Sequence, residues 1–157
     1  TMDNIIESKI NSLGIVLPEA PAPAANYVPF VISGKYVYVS GQVSSDKNGF
    51  ICGKLGSSMK VEDGYKAARQ CGLALLAQLK SACSGDLSKV KRVLKLTGFV
   101  NCTADFTDQP KVINGASDLM VEIFEHKGKH ARSAVGTVSL PLGVAVEVEG
   151  IFEIDEL

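Results

Sequence analysis

At 157 residues, with 46% hydrophobic and 21% charged side chains, the chain has the size of one compact domain and enough apolar surface to offset the entropy of ordering it. Those proportions exclude intrinsic disorder, and the near balance of 16 basic and 17 acidic residues leaves no broad positive field for collecting nucleic acid. Apolar stretches such as Gly143 to Val148 are far shorter than the ~20 residues that cross a bilayer, and no basic-then-apolar leader opens the sequence, so a cytoplasmic location without a membrane partner is expected.

The first segment, Asp3 to Leu13, sets Ile5, Ile6, Ile10 and Leu13 at helical spacing behind a capping Asp or Asn, with Gly14 as the stop, and predicts a short N-terminal helical extension over residues 3–14. Pro18 to Ala25 carries three prolines and runs extended as a connector. Two β-rich runs follow, Val28 to Ile32 and Tyr36 to Ser40, separated by the three residues of a tight hairpin loop. From Gly41 to Lys60 the chain is polar and glycine-rich, and the Lys47-Asn48-Gly49 turn predicts a second short hairpin.

Val61 to Cys83 is the clearest helix: Val61, Tyr65, Ala68, Gly72, Leu75, Leu76, Leu79 and Cys83 recur at three- and four-residue steps and fall on one face. Gly72 costs helix propensity, which close approach to a sheet or another helix would offset. Val90 to Cys102 alternates as a strand, with Val93, Thr97, Phe99 and Asn101 on one side and Leu94, Leu96, Gly98, Val100 and Cys102 on the other. A helix from about Lys111 to Glu125 starts behind Pro110, and His126 to His130 forms the loop after it. The last two strands, Arg132 to Leu140 and Val144 to Ile154, read as a hairpin closed at Pro141, Leu142 and Gly143. In the final strand Glu147 faces away from the apolar row of Val144, Val146, Val148, Phe152 and Ile154.

This order predicts one α+β domain over residues 1–157, a mixed sheet with two long helices packed on one face. The other face carries Tyr, Thr, Ile and Ala among its charges and needs a partner, for which a symmetric oligomer is the expected solution. The four cysteines, Cys52, Cys71, Cys83 and Cys102, are scattered without a CxxC pair, so they are expected to be reduced and mostly buried, and no metal is implied. His126 and His130 lie four apart in a Lys-Gly-Lys loop with no carboxylate or cysteine close in sequence, and Lys89, Lys91 and Arg92 form a basic run too small to hold RNA.

Two stretches carry a more specific likeness. ANYVPFVISGKYVYVSGQ (25–42) follows a tyrosine, fourteen residues on, with the glycine of Ser-Gly-Gln at a strand end, and ARSAVGTVSLPLGVAVEVEG (131–150) joins Arg-Ser to Leu-Pro and then Val-Glu-hydrophobic-Glu. In these blocks the chain resembles the RidA/YjgF family of imine and enamine deaminases, and more narrowly its longer branch labelled "putative endoribonuclease". The resemblance implies a chorismate-mutase-like α+β fold, a homotrimer with clefts between subunits, and no cofactor. It places Arg132 as the grip on a substrate carboxylate beside the Gly41 backbone, and Glu147 as the group that positions water. Tyr27 would line the pocket, with Ser40 and Asn114 as weaker candidates. The family's usual cysteine after the arginine is Ala134 here, and Ala25-Asn26 replaces Gly-Pro before the tyrosine.

Hydrolysis of a 2-imino acid needs a carboxylate anchor, a positioned water and a proton carrier. A guanidinium supplies a planar bidentate fork and a carboxylate supplies the base, so Arg132 and Glu147 fit those roles without a thiol step. The plainer readings are a surface ion pair for Arg132, a solvated strand residue for Glu147, a packing role for Tyr27 and a tight strand end for Gly41. The expected activity is release of ammonia and a 2-keto acid from 2-aminoacrylate-like substrates. A non-catalytic trimer that binds small carboxylates, or plays a regulatory part, is the second expectation, and an endoribonuclease the third.

Overall fold

The computed structural model describes residues 5–22 and 26–156. The expected cap at Asp3 or Asn4, and Ala25 at the head of the first family-like block, lie outside the described residues. The chain folds as α1 (Ile5–Ser12), β1 (Phe30–Ser33), β2 (Tyr36–Val43), β3 (Ser45–Asp46), β4 (Gly49–Phe50), α2 (Val61–Ala82), β5 (Val90–Asn101), α3 (Gln109–Phe124), β6 (Ala131–Thr137) and β7 (Val146–Ile154). Five strands form one mixed sheet in the order β1-β2-β7-β5-β6, and β3 and β4 make the separate small hairpin that the Lys47-Asn48-Gly49 turn predicts.

Helices α2 and α3 lie side by side on one face of the sheet, α2 over β2 and β7 and α3 over β5 and β6. The 3.6-residue stripe of α2 buries Ala68, Cys71, Leu75 and Leu79 against Val37, Val39, Val148 and Phe152. Each fully buried leucine contributes ~1.5–3 kcal/mol. The two helices touch through glycines. A Cβ on Gly72 would press on the Leu119 side chain at 2.9 Å, and one on Gly115 would drive into the Tyr65 carbonyl, which is the close approach expected of Gly72.

The sheet departs from the sequence reading in two places. Arg132 and the residues after it do not pair with the final strand: β5 lies between β6 and β7, parallel to β6 and antiparallel to β7. Strand β6 stops at Thr137, and residues 138–145 carry the chain past the end of β5 through a single 3-10 turn at Pro141–Gly143. The long β5 ladder wins because Leu96, Gly98 and Val100 pair with buried Gly150, Val148 and Val146 on one side and with β6 on the other, whereas a tight 141–143 hairpin would have left β5 at the edge. The second departure is inside β5, where register shifts at Val90/Arg92 and Val93/Lys95 break strict alternation, so Val93 and Leu96 are both buried. The opposite face stays uncovered and displays Val31, Tyr36, Tyr38 and Val135.

Candidate functional site

Strand β2 is irregular between Val39 and Gln42, so Ser40 and Gly41 leave its ladder with β7. Ser40 turns toward the chain before β1: its hydroxyl donates to the Val28 carbonyl at 2.7 Å and its backbone N–H to Pro29 at 2.9 Å. Those bonds hold Tyr27 to Pro29 against the strand end. Gly41 is left facing Glu147, which is paired with Val43 on the adjacent strand. A Cβ at Gly41 would overlap the Glu147 carboxylate, so only glycine admits the carboxylate there.

The result is a cavity of about 600 Å³ whose wall includes Tyr27, Gly41 and Glu147, with Phe50, Leu142 and Gln78. Burial, and secondarily the negative charge of Glu149, push the Glu147 carboxyl above the usual carboxylate range. Behind it Cys71 is fully buried, and burial first and Glu147 second push its thiol up, so it is no nucleophile. The Leu142 wall depends on a polar brace. Lys54 Nζ donates to Asn101 Oδ1 at 2.7 Å and to the Val138 carbonyl at 2.6 Å, and the buried Asn101 amide donates to Val144 at 3.1 Å. Leu142 itself sits at φ 62°, a left-handed conformation that a non-glycine residue holds at some cost.

Arg132 is elsewhere in the same chain. It lies on the edge strand β6 beside Leu96, two strands from Glu147, and faces α3, whereas Glu147 faces the other way. Its Nη1 donates to Asn114 Oδ1 at 2.8 Å and Ser117 Oγ at 3.1 Å, and its Nη2 to the Pro110 carbonyl at 3.5 Å. Asn114 and Ser117, three residues apart on α3, therefore brace one guanidinium. Among the described residues no acceptor engages Nε–H or the second Nη2–H, and these two donors make a side-on fork of the shape a carboxylate accepts.

Ala134, next but one on β6, packs against the core and is paired with Gly98. His126 is exposed; His130 is half-buried and bonded to Ser117 and Gly128. Among the described residues no group of three or more metal-ligating side chains occurs. No described helix is long and apolar enough to cross a membrane.

The family model described as "YjgF/chorismate_mutase-like, putative endoribonuclease" matches residues 7–153. The chain belongs to this family. It is 48% identical over 152 residues to Protein TCP17 of Trypanosoma cruzi, covering 96% of this chain and 94% of that one. The crystal structure of protein Atu1372 from Agrobacterium tumefaciens superimposes with a TM-score of 0.90 at 45% identity, covering 98% of this chain and 95% of the other. A 2-iminobutanoate/2-iminopropanoate deaminase of Dermatophagoides farinae is 29% identical over 143 residues, 90% of this chain and 95% of its own. The YjgF-family fold expected from the sequence is thereby established.

Within this YjgF-family chain the candidate residues fall into two groups. Tyr27, Gly41 and Glu147 share the cavity; Arg132 and Asn114 share a brace; Ser40 lines neither and serves as a tie for the Tyr27 segment. Sequence reasoning missed Gln78, Phe50 and Leu142 on the cavity wall. Gln78 carried a usable signal, a polar residue on the buried stripe of α2, and its amide holds Pro21 at 2.7 Å. Phe50 and Leu142 carried none, since single exposed apolar residues are common on protein surfaces.

Proposed function

We propose that the chain hydrolyses reactive 2-imino and enamine acids to 2-keto acids and ammonia, in sites completed between subunits of a homotrimer. One chain carries Arg132 with its open fork on an edge strand facing α3, and Glu147 in a separate cavity two strands away. That separation is the observation that carries the reading: neither half anchors and hydrolyses alone, and a second copy supplies the complement. The uncovered Val31, Tyr36, Tyr38 and Val135 give copies of the chain an apolar surface to bury against one another. The 29% identical relative that is a 2-iminobutanoate/2-iminopropanoate deaminase supports the reaction class.

In this reading the substrate carboxylate lies on the Arg132 fork of one subunit, next to the Gly41 backbone of its neighbour. Glu147 takes a proton from a water as the oxygen attacks the imine carbon. Glu147 returns that proton to the nitrogen, and then passes the hydroxyl proton of the resulting carbinolamine to the same nitrogen, so that the C–N bond breaks with ammonia as the leaving group and the 2-keto acid remains. A carboxyl held above its ordinary pKa suits this shuttling better than a fully solvated one. A ribonuclease reading is disfavoured by a formal net charge of −1, which supplies no overall positive field, and by His130, which is tied at both ring nitrogens.

The test is keto-acid formation from 2-imino acids generated in the cuvette by an amino-acid oxidase. Acceleration by the wild type, lost in Arg132→Ala, is expected. No acceleration, with stabilisation by pyruvate alone, would leave a carboxylate-binding protein instead of an enzyme.

A further inference from the structure

The bonds behind Arg132 run in one direction. His130 Nδ1 lies 2.6 Å from the Gly128 carbonyl, which can only accept, so Nδ1 carries the proton. In a neutral imidazole Nε2 is then an acceptor, and Ser117 Oγ stands 2.8 Å from it. The single hydroxyl proton of Ser117 goes to Nε2, which leaves the oxygen's lone pair for Arg132 Nη1 at 3.1 Å. Donors and acceptors match along the whole line, guanidinium to hydroxyl to imidazole to carbonyl.

We infer that Ser117 and His130 are positioning residues for Arg132, a hydrogen-bond chain that sets the direction of its fork. The inference rests on reading Arg132 as the carboxylate anchor. Asn114 fixes one Nη1 proton, and the other needs an acceptor whose own proton is disposed of; His130 provides that disposal. Protonation of His130 reverses the link: Nε2 becomes a donor, the Ser117 oxygen accepts from both Nε2 and Nη1, and the hydroxyl proton loses the acceptor that fixed its direction. A second cation then stands beside the guanidinium.

The surroundings keep the ring neutral. Burial is the largest influence lowering the His130 pKa from 6.5, and Arg132 adds to it against the opposing bond to Gly128. Among the described residues no carboxylate offsets them. On α3, Asp118 is bonded to Tyr65 at 2.7 Å and Glu122 to Arg69 at 3.1 Å, both toward α2. Glu125, His126 and Lys127 of the adjoining turn are exposed, and the Lys129 carbonyl accepts from Arg92.

Long-range 15N–1H NMR of the wild-type chain at neutral pH reads the tautomer directly, and Nδ1 is expected to be protonated with Nε2 bare. Ser117→Ala and His130→Ala are expected to raise KM for the imino acid, and Kd for pyruvate as a stable carboxylate probe, about fivefold with little change in kcat. His130→Gln keeps an acceptor in place of Nε2, so it should recover most of that loss. The wild-type KM is expected to rise on acidification below the ordinary imidazole range, and His130→Gln should remove that rise.

A protonated Nε2 at neutral pH would overturn the chain. So would an acid limb that survives in His130→Gln, or an Arg132→Ala that loses pyruvate while Ser117→Ala and His130→Ala bind it as the wild type does. If Arg132→Ala itself binds and turns over normally, the anchor reading fails instead, and the NMR tautomer still reports on the bonds.

Discussion

Glu147 and Arg132 are both half-buried charges, yet the fold surrounds them in opposite ways. Glu147 stands against a bare glycine in an open cavity, with burial and Glu149 both working against its negative charge. Arg132 is braced by a side-chain amide, a hydroxyl and a carbonyl from one helix. The difference separates two tasks. A carboxylate with few fixed partners and a raised pKa is free to exchange protons, while a guanidinium held on one edge presents the other edge in a fixed direction.

Breaking the proton-exchanging half should have the larger effect. Glu147→Gln is expected to lower kcat for imine hydrolysis by about 10² to 10⁴ with KM nearly unchanged, measured from initial rates of keto-acid formation. The same change should stabilise the fold, and the sign follows from the raised pKa. The folded state holds the Glu147 proton more tightly than the unfolded chain, so stability from this group is present below about pH 4.5 and lost as pH rises through the folded value. Glu147→Gln should therefore raise Tm at pH 7, and that advantage should fade toward pH 4. Equal Tm values at pH 7 would mean that Glu147 is no costlier folded than unfolded.

The binding half should respond in KM. Arg132→Ala is expected to weaken carboxylate binding by about 10- to 150-fold, the range of a charge-assisted bond, with pyruvate titration as the measurement. Arg132→Lys should recover little, because a point charge cannot reproduce the side-on fork. Gly41→Ala probes the border between the halves: its methyl must displace the Glu147 carboxylate, so kcat should fall while Tm changes little. The smallest functional signal should come from Gly72→Ala. Its Cβ meets the end of the Leu119 side chain at 2.9 Å and Ala116 at 3.4 Å, and it should shift Tm without touching the kcat of the folded fraction.

How far the sequence could be read follows the same division. Helices α2 and α3 were legible to within two residues because their apolar stripes repeat at 3.6. Glu147 facing away from the apolar row was legible from strict alternation in β7. The insertion of β5 between β6 and β7 was not, because a short Pro-Leu-Gly link resembles a hairpin and nothing local records that β5 offers the better partner on both edges. Gly41 could be named from its motif, but its role as the space for a carboxylate depends on register across β2 and β7. Ser117 and His130 were out of reach for the same reason. Their bonds join a helix to the approach of a strand thirteen residues on.

If the two halves belong to different subunits, two inactive variants should repair each other. Arg132→Ala and Glu147→Gln, co-refolded in equal amounts, should form trimers in which about one site in four combines an intact Arg132 with an intact Glu147, and so regain about a quarter of wild-type activity. A mixture no more active than either variant alone would contradict the account.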